Sequence, residues 1–392
     1  MGIELNTQQI HALYDIENWW NKSNDQIYEL SGAAGCGKTT LIQYFIDHIG
    51  LELEDVLFVA YQGKAAMQMS RHKLPAQTIH SAIYDYEQVL DLDKDGKIQI
   101  GDNGKPKKKF EFTLKDKIAK NPKLIVVDEA SMVGEKIALD LLSYGIPVIA
   151  LGDLNQLPPV FGKPFFLTHP NFILTQVMRQ SENNPIVWLA QRVLHNEKLN
   201  YGVYGKSQVI PKSDLNDFIL RESDIVLTCT NRLRYEINTI FRENILNIKK
   251  LELPHEGEKI ICRRNNWHRT IEKIYYMTNG MTGTVDYVDP SSFNGKSIKI
   301  DFKPDFTKKK FKNVTIDYKA LFARPDDEST NGFEFSKDKF EFAYAITTWL
   351  SQGSEFGNVV FLCENLGFDP LLMKKLQYTA ITRAQEKITI VL

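Results

Sequence analysis

The feature that most constrains this chain is a glycine-rich segment between a predicted strand and a predicted helix. Residues 27–30 are typical of a short strand, and residues 39–49 show helical periodicity. Between them GAAGCGKT, Gly32 to Thr39, matches the pattern G-x-x-x-x-G-K-[ST]. Strand, glycine loop and helix in this order bind phosphate, because loop N–H groups and the helix N-terminus converge on its oxygens. The chain is therefore predicted to be an α/β protein with a parallel sheet and a nucleotide site.

The loop also supplies side chains for the nucleotide. Lys38 is predicted to reach the β- and γ-phosphates, and the Thr39 hydroxyl is predicted to bind Mg²⁺. An NKxD string, which would specify guanine, does not follow any predicted strand, so ATP and Mg²⁺ are the expected cofactors. The predicted phosphate-binding residues are Gly32, Ala33, Ala34, Gly35, Cys36, Gly37, Lys38, Thr39 and Thr40.

Two further motifs follow apolar runs that predict buried parallel strands. LIVVDEAS places Asp128 and Glu129 at the carboxyl end of one strand, where open α/β sheets bind ligands. Asp128 is predicted to hold Mg²⁺, and Glu129 to orient and deprotonate the attacking water. GDLNQLPPV places Gln156 after the next strand, where its amide can sense the γ-phosphate. Taken alone, each motif would also be explained by a helix cap or a turn.

Composition and charge describe an ordinary soluble globular protein that carries no strong overall field. The formal net charge is −1, so any nucleic-acid binding is expected from local basic grooves. Two lysine-rich runs, at 105–109 and 303–312, are candidates, although each alone is typical of a solvated loop. The four cysteines form no CxxC pair, and no apolar run approaches the length of a membrane span. These features predict a cytosolic protein without metal-binding cysteines, and the small size of the chain and its compact insertions indicate a bacterial or phage origin.

The chain is predicted to contain two α/β domains, each interrupted by an insertion. The first domain covers 1–84 and 113–184, and its insertion at 85–112 carries Asp-Gly and Asn-Gly turn signals that predict a protruding β-hairpin. The second domain covers 185–262 and 340–392. Short β-prone runs between 263 and 339 predict a small β-barrel inserted into it.

The order of the motifs resembles that of the superfamily 1 DNA helicases, above all the RecD and phage Dda branch. The resemblance rests on DEAS, GDxxQLPPV, VMRQ at 177–180, SQGSEF at 351–356 and YTAITRA at 378–384. It covers nearly the whole chain. It implies two RecA-like domains, with a pin hairpin and an SH3-like barrel where the two insertions are predicted.

The resemblance also implies further residues around the nucleotide. Gln9 corresponds to a glutamine that recognises adenine; without the resemblance, the polar face of a capped helix would be the favoured explanation. Gly353 and Glu355 correspond to the ribose and phosphate contact. Arg179 and Arg383 correspond to the two arginines that neutralise charge on the γ-phosphoryl oxygens.

The same comparison implies a track for single-stranded DNA. Hydroxyls and amides suit such a track because they bind the phosphate backbone without reading sequence. The residues that correspond to this track are Tyr61, Gln62, Thr78 and His80 of the first domain and Thr228, Asn231 and Arg232 of the second. The chain departs from the family before SQGSEF, where Trp349 and Leu350 replace a basic context. Trp349 or Phe165 could stack on bases, although each is more often a core residue, and Trp349 with Leu350 could form a stacking platform in place of the basic contact.

The expected function is ATP-dependent unwinding of duplex DNA by translocation on single-stranded DNA, with a 5′-to-3′ direction implied by the resemblance alone. A monomeric motor acting on single strands and forks, with replication or single-strand-binding proteins as partners, is expected. Two alternatives remain open: a DNA-stimulated ATPase that remodels nucleoprotein without unwinding, and a non-catalytic binding module.

Overall fold

The first domain is built on a six-stranded sheet in which all strands are parallel. The computed structural model describes residues 5–71, 74–93, 96–100, 106, 108–159, 163–176, 184–249, 251–271, 275–324, 338–364, 367 and 369–392. From edge to edge the strands are Ala76–Thr78, Val56–Ala60, Leu124–Asp128, Val148–Gly152, Ile27–Gly32 and Phe172–Leu174. This arrangement confirms the predicted parallel α/β fold.

Helices cover both faces of this sheet, because its central strands are apolar on both sides. In the strand Leu124–Asp128, Leu124 and Val126 join one hydrophobic core, whereas Ile125 and Val127 join the other. The helices of this domain are Thr7–Lys22, Lys38–His48, Gly63–Arg71, Ile79–Ile83 and Glu135–Leu142. Because both faces of the sheet are buried, the phosphate loop and the acidic motif meet at the edge formed by the carboxyl ends of the strands.

The second domain contains another six-stranded sheet, parallel except for one edge strand. Its strands lie in the order Ala345–Thr347, Ile225–Thr228, Phe356–Leu362, Ala384–Val391, Ser207–Ile210 and Gly202–Tyr204. Its helices are Pro185–Leu194, Asp217–Arg221, Asn231–Ile240 with a π-helical continuation Phe241–Ile245, and Pro370–Ile381.

The segment inserted in the first domain contains one antiparallel pair of strands. Tyr84–Leu90 pairs with Lys108–Leu114, with Tyr84 opposite Leu114 and Leu90 opposite Lys108. The strands therefore begin and end slightly outside the predicted limits of 85 and 112. Part of the connecting segment, including the predicted Asn-Gly turn at 103–104, lies outside the described residues.

The segment inserted in the second domain forms a five-stranded antiparallel sheet. Its strands lie in the order Phe311–Asp317, Ser297–Pro304, Thr282–Asp289, Lys259–Cys262 and Phe340–Phe342. A bridge between Ile316 and Asp338 joins the two edges. A separate pair, Asn266–Ile271 with Tyr275–Met277, and the short helix Tyr318–Leu321 complete it. The strands at 259–262 and 340–342 pair within this sheet, although the sequence pattern assigned them to the second domain.

Candidate active site and nucleic-acid groove

The phosphate loop has the backbone geometry that its glycines predict. Gly35 and Gly37 have φ of +82° and +73°, in the left-handed region that glycine adopts at little cost. A Cβ on Gly32 would lie 3.0 Å from the Leu174 Cβ, so this position is also packed too closely for a larger residue. The helix Lys38–His48 begins directly after Gly37. The glycines therefore give this segment the loop conformation that leads directly into the helix.

A cleft of about 430 Å³ opens beside this loop and is lined by both domains. The first domain contributes loop residues, the acidic pair and Gln156, whereas the second contributes residues near its SQGSEF and YTAITRA motifs. The predicted site residues in this lining are Ala34, Gly35, Gly37, Lys38, Thr39, Thr40, Asp128, Glu129, Gln156, Gly353, Glu355 and Arg383. The structure therefore brings residues more than 300 positions apart in the sequence into one cleft.

Lys38 extends along its own loop within this cleft. Its Nζ atom donates hydrogen bonds to the Gly32 carbonyl oxygen at 2.6 Å and to the Ala33 carbonyl oxygen at 3.3 Å. The ammonium group is therefore held at the loop, where phosphate oxygens would compete with these carbonyls for its protons.

Glu129 has the backbone strain and the electrostatic environment of a functional carboxylate. Its φ of +49° lies in the left-handed region, which is unusual for a residue other than glycine. The pKa of its carboxyl group is raised to about 7, because burial together with the Asp128 and Asp153 charges outweighs the opposing effect of Arg383 and Lys38. A carboxylate with a pKa near neutrality is suited to accept a proton from water.

Gln156 carries an oxygen atom that is free to act on a ligand. The residue is 8% exposed, and its Oε1 is buried without a hydrogen-bond partner among the described residues. Buried amide oxygens in proteins are normally hydrogen-bonded, so an unpaired one that lines a cleft indicates a missing ligand or water. This position agrees with the predicted role of Gln156 near the γ-phosphate.

Thr39 and Asp128 offer the hard oxygen ligands that Mg²⁺ prefers, and both line the cleft. Within the described residues, no group of three His, Cys, Asp or Glu side chains is arranged to hold a metal ion by itself. A site with few protein ligands is typical of Mg²⁺ that is bound together with phosphate oxygens and water. The residues present therefore fit a magnesium–nucleotide complex rather than a permanent metal centre.

Arg383 enters the cleft from the second domain, and backbone carbonyl groups of that domain hold its side chain. It is 4% exposed; its Nε donates to the Thr379 carbonyl oxygen at 3.1 Å, and a terminal nitrogen donates to the Ser354 carbonyl oxygen at 3.2 Å. Its charge lowers the pKa of Glu129, which places the two groups in one electrostatic environment. Arg179, the other predicted arginine, lies outside the described residues.

The structure does not support the predicted adenine contact of Gln9. Its Oε1 accepts a hydrogen bond from the Asn6 N–H at 3.0 Å, and its Nε2 donates to the Cys36 carbonyl oxygen at 3.1 Å. The side chain is fully buried, and it caps the helix Thr7–Lys22 through a capping box. Gln9 therefore binds the backbone of the phosphate loop from the buried side of that loop. The fully buried Cys36 is likewise set back from the cleft.

A second opening, a groove of about 360 Å³, contains most of the predicted DNA contacts of the first domain. Tyr61, Gln62, Thr78 and His80 line one side, and Trp349 lines it from the second domain. Residues that the sequence did not single out complete it: Phe112, Met132, Asn265, Thr278, Asn279 and Gln352. The asparagines come from the inserted five-stranded unit, so three parts of the chain form the groove.

The described lining of this groove is aromatic and neutral rather than basic. The His80 ring lies 5.9 Å from the Tyr61 ring and 6.0 Å from the Phe112 ring, and burial lowers the pKa of its imidazole. The expectation of a basic groove is therefore not met by these residues. The lysine run at 303–312 lies elsewhere, and one of its members, Lys310, pairs with Asp286 and Asp301.

Apart from Trp349, the predicted DNA contacts of the second domain lie outside this groove. Thr228 is fully buried, and its hydroxyl donates to the Thr230 carbonyl oxygen at 3.1 Å, so it has no surface to offer a strand. Asn231 and Arg232 are exposed at the start of the helix Asn231–Ile240, where Arg232 pairs with Glu236. Phe165, the alternative stacking residue, packs at 5.2 Å against Phe166 beside the first domain's core.

The sequence also did not single out Tyr378, Thr379 and Gln352, which connect the two domains. Gln352 donates to the Leu157 carbonyl oxygen at 2.8 Å, and Thr379 Oγ1 accepts from the Leu157 N–H at 3.0 Å. The available signal was their position inside SQGSEF and YTAITRA, beside residues that had been assigned a role.

Comparisons with known proteins agree with this architecture at both ends of the chain. Residues 17–162 match the family model of an AAA domain, and residues 342–391 match a UvrD-like helicase C-terminal domain. The ATP-dependent RecD2 DNA helicase of Deinococcus radiodurans is 26% identical over 288 residues, 67% of this chain and 35% of that protein. An uncharacterised protein of Methanocaldococcus jannaschii is also 26% identical, over 95% of this chain and 37% of its own length.

The chain thus spans about a third of the length of these two curated relatives. Among solved structures, Bacteroides Pif1 bound to single-stranded DNA superposes with a TM-score of 0.53 at 17% identity, covering 99% of this chain and 92% of that chain. No helix in the described part of this chain is long and apolar enough to cross a membrane. The two family models, the bacterial relative and the shared fold agree with the resemblance to superfamily 1 helicases that the motif order implies.

Proposed function

We propose that this chain hydrolyses ATP to move along single-stranded DNA, with a 5′-to-3′ direction, and that it unwinds duplex DNA at forks. The observation that carries the proposal is the cleft, in which Lys38, Glu129 and Gln156 of the first domain face Arg383 of the second. Bound ATP would then interact with both domains. Its binding favours closure of the cleft, and its hydrolysis relaxes closure.

Each group in the cleft has a role that its chemistry supports. Lys38 and the loop N–H groups bind the phosphates, and Glu129 accepts the proton of the attacking water, which Gln156 helps to orient. Arg383 neutralises the charge that develops on the γ-phosphoryl oxygens. Thr39 and Asp128 would hold Mg²⁺, which supplies further charge neutralisation on the phosphates when bound.

The groove supports single-stranded nucleic acid as the track. Tyr61 and Trp349 offer ring faces on which bases stack, while Gln62, Asn265 and Asn279 offer amides to phosphate and sugar. Neither type of contact reads base sequence, as translocation along arbitrary DNA requires. The relatives support the same substrate, since one is named a DNA helicase and one was solved with single-stranded DNA.

The cleft and the groove share a wall. Movement of this wall would convert ATP hydrolysis in the cleft into movement along the strand in the groove. Gln352 lines the groove, whereas its neighbour Gly353 lines the cleft. A change in how the second domain sits on the nucleotide therefore also changes the groove. We further propose that the motor works as a monomer in the cytoplasm of a bacterial or phage-infected cell, with replication or single-strand-binding proteins as partners.

The test combines ATPase assays with strand displacement. The parent protein should hydrolyse ATP faster with single-stranded DNA, and should displace a strand from a substrate with a 5′ tail. Glu129→Gln should lower kcat by about 10²- to 10⁴-fold, the usual contribution of a general base. Glu135→Gln, an exposed carboxylate on the following helix, is the matched control and should retain activity.

Each part of the proposal has its own contradicting result. Unwinding only from 3′ tails would contradict the direction, and ATPase activity that ignores DNA would contradict the role of the groove. ATPase stimulation by DNA without any strand displacement would favour the nucleoprotein-remodelling alternative. A Glu129→Gln variant as active as the parent would contradict the catalytic assignment altogether.

A further inference from the structure

The end of the helix Pro370–Ile381 inserts one buried tyrosine between two loops of the other domain. Tyr378 is 1% exposed. Its hydroxyl oxygen accepts a hydrogen bond from the Ala34 N–H of the phosphate loop at 2.9 Å, and its O–H donates to Asp153 Oδ2 at 2.6 Å. One hydroxyl group thus joins the phosphate loop, the loop that begins at Asp153, and the second domain.

The environment of this hydroxyl keeps it in the form that makes both bonds. Burial, followed by the charge of Asp153, raises the pKa of Tyr378 well above its usual range. The group is therefore a neutral phenol at physiological pH, able to donate to the carboxylate while it accepts from the amide. A hydrogen bond to a charged acceptor is stronger than one between neutral groups, particularly where water is excluded.

The next residue holds the other end of the same loop. Thr379 is fully buried, and its Oγ1 accepts from the Leu157 N–H at 3.0 Å. Gln156, which lines the cleft and whose buried amide oxygen has no hydrogen-bond partner among the described residues, lies between Asp153 and Leu157. Two consecutive side chains of the second domain therefore fix both sides of the residue that is proposed to orient water.

The same helix end also determines where Arg383 lies. The Nε of Arg383 donates to the Thr379 carbonyl oxygen at 3.1 Å, so the guanidinium group is attached to the turn that carries Tyr378 and Thr379. Any shift of this turn relative to the phosphate loop moves Arg383 relative to Lys38 and Glu129. Displacements of about 1 Å in a catalytic arrangement can lower rates by about a hundredfold.

We propose that Tyr378 is a positioning residue for ATP hydrolysis: its hydroxyl aligns the helix end that carries Arg383 with the phosphate loop and with the Asp153–Leu157 loop when the cleft is closed. This inference rests on the proposed ATPase activity. The alternative is that Tyr378 only fills space in the core between the domains, as its ring would do without its hydroxyl.

Tyr28 provides a closely matched control for the loss of a hydroxyl. It is also 1% exposed, and its hydroxyl donates to Asp15 Oδ2 at 2.7 Å, but both residues lie within the first domain. Tyr378→Phe and Tyr28→Phe therefore each remove one hydrogen bond from a buried tyrosine to a carboxylate. Only Tyr378→Phe removes a bond across the cleft.

The experiment compares the parent with both variants in DNA-stimulated ATPase assays and in binding of ADP with and without aluminium fluoride. For Tyr378→Phe we expect kcat to fall about tenfold with the KM for ATP within about twofold, as expected when a bond to a charged group is lost mainly in the transition state. Its affinity for ADP–aluminium fluoride should fall about tenfold while its affinity for ADP alone is retained. Tyr28→Phe should match the parent in all four quantities.

Two results would overturn the inference: a Tyr378→Phe variant with the parent's kcat, or an equal loss of kcat in Tyr28→Phe. Thr379→Val, which removes the bond to Leu157, gives the same test if Tyr378→Phe does not fold, and it should show the same selective loss of kcat. A parent protein without any ATPase activity would overturn the proposed function as well, so the two failures are distinguishable.

Discussion

Replacement of Arg383 by alanine separates its effect on catalysis from its effect on stability. An arginine that neutralises charge on a transferring phosphoryl group contributes about 10³-fold or more to kcat, equivalent to about 4 kcal/mol of activation free energy. In this structure the side chain also makes three hydrogen bonds, to the Thr379 carbonyl, the Ser354 carbonyl and the Thr382 hydroxyl. At about 1 kcal/mol each, their loss lowers the unfolding free energy by at most about 3 kcal/mol.

These two quantities are measured by different assays. Arg383→Ala should lower the DNA-stimulated kcat by about a thousandfold while Tm falls by several degrees and the affinity for ADP is largely retained. Arg383→Lys should give an intermediate kcat, because it keeps the charge but cannot donate to two carbonyl oxygens as a planar fork. Arg234→Ala is the control, since Arg234 is also buried, at 7% exposure, but pairs with Glu341 away from the cleft.

The control variant should lose stability without losing kcat. A loss of kcat below tenfold in Arg383→Ala, at temperatures where the protein remains folded, would refute the role of this arginine in the transition state. An equally large loss in Arg234→Ala would attribute the effect to disturbed packing instead.

Three further predictions concern the groove, the cleft and the second domain. Trp349→Ala should weaken binding of single-stranded DNA by about 5- to 150-fold in fluorescence titrations, without a change in salt dependence, because stacking and not charge is lost. Gly353→Ala should slow ATP turnover, because the glycine φ of +68° disfavours any residue with a Cβ. The added Cβ would also lie 3.3 Å from the Ala65 Cβ across the cleft. An unchanged kcat would show that the loop adapts. Glu258→Ala should lower the unfolding free energy by about 3–5 kcal/mol in denaturant titrations, because it leaves Arg242 buried without its carboxylate; a loss below 1 kcal/mol would contradict this.

The nucleotide-binding half of the site was predictable because its signals are local. The glycines of the phosphate loop specify a backbone conformation, and strand and helix periodicity place that loop at the edge of a sheet. Asp128 ends a strand whose other four residues are apolar, and Glu129 follows it, so their position at the same edge could be deduced from the parallel fold.

The predictions that the structure does not support are those in which tertiary burial determines what a polar side chain does. Gln9 and Thr228 were assigned from motif position, and both have side chains whose hydrogen-bonding atoms are occupied inside their own domains. A single sequence shows that a glutamine follows a helix start, but it does not show whether the amide faces a ligand or a cap. The basic groove was expected for another reason, the net charge of −1, and the sequence does not show that the lysine run at 303–312 lies away from the groove.

The contacts of Tyr378 were beyond local reasoning for a different reason. Its hydroxyl meets Asp153 across 225 positions and Ala34 across 344 positions of the chain. Such a contact depends on how two separately folded sheets are oriented, and no periodicity or composition within either domain records that orientation.

The core shared by the second domain and its inserted sheet has a mechanical consequence. Phe241, beside the second domain's own sheet, and Ile298 and Phe302 of the insert belong to one continuous hydrophobic cluster. Because a densely packed interior resists sliding of one part past another, the insert would move with the second domain as a rigid unit whenever that domain rotates. Asn265 and Asn279 would travel with it while Tyr61 and Thr78 stay behind, so one rotation would open or narrow the passage for the strand in step with the state of the nucleotide.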